Sequence, residues 1–336
     1  MLNRTQIVVS GVRPTGRMHL GNYHGAVKNW VKLQNQYDCY FFVADLHALT
    51  THYQQYEHIA SNTRLMIADW LSLGLDPKKC KIFIQSQVPE HAELHLLLSM
   101  ITPLGWLERV PTYKDQQQKL HKIDLSTYGF LGYPLLQSAD VLLYKAHYVP
   151  VGEDQVAHIE LIREVARRFN HIYGKEQNIL TEPQPLLTNV PKLPGVDGQK
   201  MSKSYNNVIE IAEDQLSLAK KIKMMPTDPA RIKRTDCGDP DKCPVWQLHK
   251  IYSDEAIKAW VDSGCRSAGI GCLDCKGALI SAIEKEQQPI REKFQMYKED
   301  KKMINMVIEQ GTEQASIVAK KTLVEVKNVM GINFSG

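Results

Sequence analysis

The sequence predicts an α/β protein: a doubly wound parallel sheet joined to a smaller all-helical domain. Three observations carry that expectation. Over roughly the first 180 residues, short apolar, β-branched or aromatic runs alternate with longer amphipathic segments, the pattern of strands and crossover helices. A proline-rich stretch then breaks the pattern, and the rest of the chain reads as helix almost throughout. Finally, 336 residues exceed what one small core needs, so two packed domains are the natural division.

Taken in order, the strand candidates are Ile7 to Ser10, Cys39 to Ala44 and Lys81 to Gln85. Asn22 to Tyr37 reads as the first helix. Glu57 to Leu73 is the second, with Ile59, Met66, Trp70 and Leu73 on one face and Gly74 as its stop. Asp154 to Tyr173 repeats Ile159, Ile162, Ala166, Phe169 and Tyr173 at helical spacing and again ends in glycine, Gly174. From Thr181 to Gly198, Pro183, Pro185, Pro191 and Pro194 with Gly195 and Gly198 read as an exposed connector. A helix is expected from Asp214 to Met225, and the last 40 or so residues read as one or two helices broken near Gly311.

Composition sets limits on function. Hydrophobic residues make up 43% and charged residues 23%, with no apolar run near the roughly 18 residues of a membrane span, so no membrane partner is expected. The start, Met1 to Gln6, lacks the apolar core of a secretory signal, which gives a cytoplasmic expectation. A net charge of +4 is too weak to announce a nucleic-acid binder by itself. Locally, Lys220, Lys221, Lys223, Arg231, Lys233 and Arg234 oppose one acidic residue, Asp228, a run that suits a solvated helix face or a phosphate-binding surface equally. Five of the seven cysteines fall between positions 237 and 275, where even scattering would place about one. In a reducing compartment that clustering points to a metal before disulfides.

Two constellations carry chemistry. Gly11-Val-Arg13-Pro14-Thr15-Gly-Arg-Met-His19-Leu-Gly21-Asn22 lies between the first strand and first helix, where backbone N–H groups and the helix dipole favour phosphate. His19 and Asn22, three apart, project from one turn. The second is Lys200-Met201-Ser202-Lys203-Ser204, at the end of the connector. Two lysines on a loop can track charge onto a departing polyphosphate without covalent chemistry.

Together these segments resemble the class I aminoacyl-tRNA synthetases, and within them the bacterial-type tryptophanyl-tRNA synthetases. His19-Leu-Gly21-Asn22 is similar to that family's variant of the HIGH signature, and Lys200 to Ser204 reads KMSKS letter for letter. Asp45 to Thr50, Tyr133 to Tyr144, and Val149 to Gln155 with the adjoining His158-Ile-Glu-Leu resemble the same subfamily. The resemblance implies ATP-dependent activation of L-tryptophan to tryptophanyl-adenylate and its transfer to tRNA(Trp). It also implies a Rossmann-like catalytic domain over 1–190, a KMSKS loop and connector over 191–207, a helical anticodon-binding domain over 208–295, and C-terminal helices over 296–336 returning to the catalytic domain.

The same resemblance implies a role for each residue of these motifs. His19, Asn22, Lys200, Lys203 and Ser204 are the expected catalytic residues. ATP, arriving with Mg²⁺, is expected on Arg13, Pro14, Thr15, Gly21, Asn22, Gly152, Glu153, Asp154, Lys200, Met201, Ser202 and Lys203. Tryptophan is expected among Val9, His47, Tyr133, Gln137, Asp140, Val149, Val151 and Gln155. Gln137 stands where an apolar side chain such as Met is the family pattern, and Val9 where relatives carry an aromatic. An indole offers one N–H donor and no acceptor, so a selective pocket needs apolar walls and one acceptor-only group, which an ionised Asp140 supplies.

Cys243, Cys265, Cys272 and Cys275, with Cys237 as a substitute for Cys243, have nearly the spacing of an iron–sulfur motif carried by some family members, one residue short in the first gap. Four thiolates suit a [4Fe–4S] cluster or a tetrahedral zinc. A homodimer is expected, and no DNA partner. Two other readings compete: a tyrosyl-tRNA synthetase, which needs both donor and acceptor at the pocket base, and a non-catalytic RNA-binding paralogue.

Overall fold

The computed structural model describes residues 5–111, 124–175, 177–187 and 193–333, with the side chain of Ser204 also left undescribed. The expected domain boundary at 190/191 lies outside the described residues. Five strands form one parallel sheet: β1 (Ile7–Val12), β2 (Asp38–Val43), β3 (Cys80–Ile84), β4 (Tyr148–Val151) and β5 (Gln184–Leu187), in the order β3-β2-β1-β4-β5. The chain winds outward from β1 through β2 to β3, then crosses back to lay β4 on the other side of β1. The switch point is therefore between β1 and β4, and the crevice at their carboxyl ends is where such a sheet takes a ligand.

The helices, in chain order, are α1 over residues 20–33, α2 (Asp45–His52), α3 (Ile59–Ser72), α4 (Glu90–Ser99), α5 (Leu104–Glu108), α6 (Tyr128–Leu142) and α7 (Val156–Tyr173). The helical half adds α8 (Gln215–Met224), α9 (Pro244–Tyr252), α10 (Glu255–Arg266), α11 (Cys272–Glu299) and α12 (Lys301–Val329). The first of them, α1, is not uniform, because a π turn at Tyr23–Val27 separates α-helical Leu20–Asn22 from Lys28–Leu33.

Strand alternation sorts the core into two layers. Val8, Cys39, Phe41, Val43 and Ile82 face one side, where Trp30 stacks on Phe41 at 4.5 Å. Val9, Tyr40, Phe42, Ala44 and Phe83 face the other, against α4, α6 and α7. The first layer runs on without a break into Leu218, Ile222, Val245, Leu248, Leu279, Ile283 and Phe294 of the helical half.

Two sequence expectations need correction. The stretch from Thr181 to Gly198 is not all connector, since residues 184–187 are the edge strand β5, paired Val149↔Pro185 and Val151↔Leu187. Proline lacks a ladder donor and lowers strand propensity, yet the edge strand β5 tolerates Pro185, and Pro150 in the interior strand β4 lies beyond the point where β4 pairs with β1, at Tyr148. Gly311 does not break the last helix either. The 29 residues of α12 run straight through it, and a Cβ there would sit 2.0 Å from the Ile82 carbonyl oxygen. The glycine is what lets α12 lie directly against β3.

Candidate active site

A cavity of about 380 Å³ opens at the switch point, lined by the ends of β1 and β4, by α2 and by α6. All eight residues expected around tryptophan line it: Val9, His47, Tyr133, Gln137, Asp140, Val149, Val151 and Gln155. Of the residues expected around ATP, Arg13 and Gly152 line it as well. The lining also includes Phe42, Ala44, Thr50, Phe130 and His158, which the sequence did not single out. Period-two alternation could have found Phe42 and Ala44, because they share the β2 face of Tyr40. Phe130 could have been found by helical spacing, three residues before Tyr133 on α6, whereas His158 becomes a neighbour of Tyr133 only once α6 and α7 pack.

Asp140 is 1% exposed and sits at the centre of a polar network. Its Oδ1 accepts from Gln85 Nε2 at 2.7 Å and from His91 Nδ1 at 2.6 Å; its Oδ2 accepts from His47 Nε2 at 2.8 Å. Burial alone would push this carboxyl up, but His47 and then His91 outweigh it and hold Asp140 well below the usual carboxylate range. An ionised acceptor is thus set into a wall that joins apolar Val9, Phe42, Ala44, Val141 and Val149 with polar His47 and Gln137.

The first signature forms the start of α1. His19 caps the helix: Asn22 N–H donates to His19 Nδ1 at 3.3 Å, and His19 N–H donates to Asn22 Oδ1 at 3.2 Å. With Nδ1 accepting, the ring proton belongs on Nε2. Burial, and after it the charge on Lys203, brings His19 down to about 4, so the ring is neutral at physiological pH. Gly21 lies in the same turn, beside the His19 ring and Met201, while Pro14 and Thr15 lie in the preceding loop, where Thr15 N–H closes a turn onto the Arg13 carbonyl.

The second signature is folded onto the first. Lys203 Nζ donates to the Gly16 carbonyl at 2.8 Å, Ser202 N–H donates to Asn207 Oδ1 at 2.8 Å, and Met201 is buried. Lys200 makes an antiparallel bridge with Pro194, and His19 makes another with Glu210. Around the latter, Leu20 N–H donates to the Ile209 carbonyl and Ile211 N–H to the Met18 carbonyl, each at 2.9 Å. Burial lowers Lys203 to about 8, with Asp69 and Glu210 opposing and Arg13 and Arg17 assisting. Glu153 and Asp154 stand in the 3-10 turn Glu153–Gln155 that opens α7. Lys200, Lys203, His19 and Asn22 do not line the cavity; Lys203, His19 and Asn22 stand together at the α1 end of the site, and Lys200 stands in the loop against Pro194 and Asn207.

The cysteines behave differently. Among the described residues, no group of three or more His, Cys, Asp or Glu side chains is gathered as a metal would require, and the five clustered cysteines are free thiols. Cys243, Cys265, Cys272 and Cys275 are nonetheless close enough that their thiols perturb one another. Burial, then Cys243, Cys265 and Cys272, pushes Cys275 up to about 12. Cys237 is exposed. Spacing brings the four thiols into one neighbourhood without closing a ligand shell. The nearby basic run is divided too. Arg231 is buried and donates to the Ile270 carbonyl at 2.5 Å, Lys221 pairs with Glu213 at 2.6 Å, and only Lys220, Lys223, Lys233 and Arg234 remain exposed.

Comparison with known proteins agrees with this geometry. Residues 1–288 match the family model described as tRNA synthetases class I (W and Y). The chain belongs to that class of enzymes. Within it, the chain is 50% identical to the tryptophan–tRNA ligase of Ralstonia nicotianae, covering 98% of this chain and 99% of the relative, and 50% identical to that of Thermotoga maritima, covering 97% and 99%. A tryptophanyl-tRNA synthetase structure from Campylobacter jejuni, solved with ADP and tryptophan, superposes with a TM-score of 0.88 at 32% identity over 97% of this chain and all of that one. The family is therefore that of the bacterial tryptophan–tRNA ligases. A tyrosyl-tRNA synthetase from Archaeoglobus fulgidus, at 21% identity and a TM-score of 0.64, shares the fold alone.

Proposed function

We propose that this tryptophan–tRNA ligase activates L-tryptophan with ATP in the cavity at the β1/β4 switch point and then transfers it to tRNA(Trp). The observation that carries the reading is a buried, ionised Asp140 in the cavity wall, the acceptor that an indole N–H requires. Val9, Tyr133, Gln137, Val149 and Val151 enclose the ring, His47 stands beside Asp140 at the indole N–H, and Gln155 takes the amino-acid ammonium. The tryptophan carboxylate is already a nucleophile. Its oxygen attacks the α-phosphorus in line, the bond from that phosphorus to the bridging oxygen breaks, and pyrophosphate leaves. No general base is needed, so the enzyme contributes position and charge.

His19, a neutral Nε2–H donor, and Asn22 meet the phosphates at the α1 start. Arg13, Pro14, Thr15 and Gly21, with Gly152, Glu153 and Asp154, seat the nucleotide. Lys200 and Lys203, carried by Met201, Ser202 and Ser204, track the negative charge onto pyrophosphate. Mg²⁺ would arrive with ATP as part of the substrate and would supply charge neutralisation on its phosphates. In the second step a terminal ribose hydroxyl of the tRNA attacks the acyl carbon, and AMP departs. Tryptophan-dependent exchange of labelled pyrophosphate into ATP tests the reading. Exchange with tryptophan and none with tyrosine is expected; exchange with tyrosine alone, or with neither, would overturn it.

The reading extends to partners, location and the cysteines. The exposed Lys220, Lys223, Lys233 and Arg234 meet the tRNA backbone, while Leu96, Met100 and Leu104, each more than half exposed on or beside neighbouring elements α4 and α5, meet a second copy of the chain. The enzyme works in the cytoplasm; no helix among the described residues is long and apolar enough to cross a membrane. Cys243, Cys265, Cys272 and Cys275, brought into one neighbourhood by α10, α11 and the segment before α9, would be the residues to hold a [4Fe–4S] cluster, which would supply an electron-transfer or structural centre. Anaerobically purified protein is then brown and absorbs near about 400 nm; colourless protein with stoichiometric zinc would reject the cluster.

A further inference from the structure

Two buried side chains that do not line the cavity converge on Asp140. We propose that His91, held by Tyr144, is a positioning residue that fixes the Asp140 carboxylate so that one acceptor position faces the indole N–H. This rests on the reading that Asp140 receives that N–H.

An ionised carboxylate offers about four acceptor positions. Gln85 Nε2 and His91 Nδ1 take two on Oδ1, and His47 Nε2 takes one on Oδ2. One remains, on Oδ2, and Asp140 is part of the cavity wall. A ligand group with one donor and no acceptor satisfies that position completely. A phenolic hydroxyl also donates there, but its own lone pairs find His47 Nε2–H already engaged by Oδ2.

The tautomer of His91 is set by its partners. Its Nδ1 faces an acceptor-only group and so carries the proton; Nε2 then accepts, and Tyr144 Oη lies 2.8 Å away as the donor. Both rings are fully buried. Tyr144 stacks on Tyr40 at 4.7 Å, and His91 lies 5.7 Å from Phe42 and 6.1 Å from Phe83, so neither can turn to another partner without disturbing the aromatic layer. Plain packing would be served better by apolar rings, because polar groups placed here cost stability unless hydrogen bonded. Gln85 makes the same point. Its Nε2 is held on Asp140 although its buried Oε1 has no hydrogen-bond partner among the described residues. Without the His91 donor, Oδ1 gains an open acceptor, the carboxylate rotates about its broad terminal torsion, and a second hydrogen-bonding direction opens toward the ligand.

The test compares tryptophan with 3-benzothienylalanine, an isostere in which sulfur replaces the N–H, in pyrophosphate exchange by Tyr144→Phe, His91→Phe, His91→Asn and Asp140→Ala proteins. Tyr144→Phe removes a single oxygen and His91→Phe removes the donor. Each is expected to raise KM for tryptophan about tenfold, to reduce the preference for tryptophan over the sulfur analogue by a similar factor, and to leave KM for ATP unchanged. His91→Asn, whose amide N–H can stand in for Nδ1–H, recovers most of the preference. A purely structural role would shift thermal stability and weaken both amino acids equally; an unchanged preference in Tyr144→Phe therefore overturns the proposal. If Asp140→Ala also keeps the preference, the reading of Asp140 itself is wrong. If Asp140→Ala loses it while Tyr144→Phe keeps it, only the positioning role fails.

Discussion

The switch-point cavity and the cysteine-bearing helices both announced themselves in the sequence as clusters of reactive residue types, yet they folded to different degrees of completion. The cavity gathers residues from β1, α2, α6, β4 and the turn before α7, and each is held by an element with its own apolar reason to be there. Asp140 is fixed by three donors from three separate segments. The cysteines come from the segment before α9, from α10 and from α11, and no ligand shell is formed among them. A pocket whose geometry is fixed by packing is complete without its ligand, whereas a thiol group held near but not at coordination distance needs something else to finish it.

The comparison can be broken most directly at Asp140. Replacing it with alanine leaves His47, His91 and Gln85 with unpaired buried donors, and the expected loss in kcat/KM for tryptophan is on the order of 100-fold or more, read by pyrophosphate exchange. Near-normal activity would mean that the network serves packing alone. The next effect is at Lys203. Its ammonium is lost as pH rises through about 8, so KM for ATP should climb between pH 7 and pH 9 in the unaltered enzyme. Lys203→Arg, which stays charged, should flatten that rise, while Lys203→Ala should lower kcat by about 100-fold with little change in KM for tryptophan. A flat ATP profile in the unaltered enzyme would remove Lys203 from the charge-stabilising role.

Smaller effects sharpen the contrast from the scaffold side. Gly311→Ala forces a methyl group into the Ile82 carbonyl, and thermal denaturation should show a loss of about 1–3 kcal/mol with the Trp/Tyr preference intact. Least affected should be tryptophan activation in Cys265→Ser protein. There exchange is expected to change less than about twofold, because these thiols lie outside the cavity. A large loss of exchange would show that the helical half reaches into the first step.

Much of this architecture was legible because it is local. Val8 and Val9, or Phe41 and Phe42, alternate between two buried faces, and the signatures sit at a strand-to-helix turn and a loop, where their residue types are otherwise hard to explain. Asp140 was legible for a chemical reason, as an acidic residue among Leu135, Leu136, Val141 and Leu142. What was illegible is relational. His91 is an ordinary helix histidine until Phe42 and Phe83 close over it, and Gln85 ends a strand without any local hint that it will face a carboxylate 55 residues away. Arg231 shows the converse: a basic run suggests an exposed surface, while this member is committed to the Ile270 carbonyl. The prolines at 150 and 185 misled because propensity records the missing donor but not whether that side of the strand needed one.

The short ladder between the two signatures limits how far the lysine loop can travel. Glu210 is pinned to His19, while the bridge between Pro194 and Lys200 closes the connector on itself, so the loop is tied to the start of α1 on its C-terminal side. Lys203 and Glu210 are seven positions apart, and a fully extended chain covers at most about 25 Å over that distance. That length bounds how far Lys203 can lie from the start of α1. The pin turns two motifs distant in sequence into a single jaw, with its pivot built into the backbone.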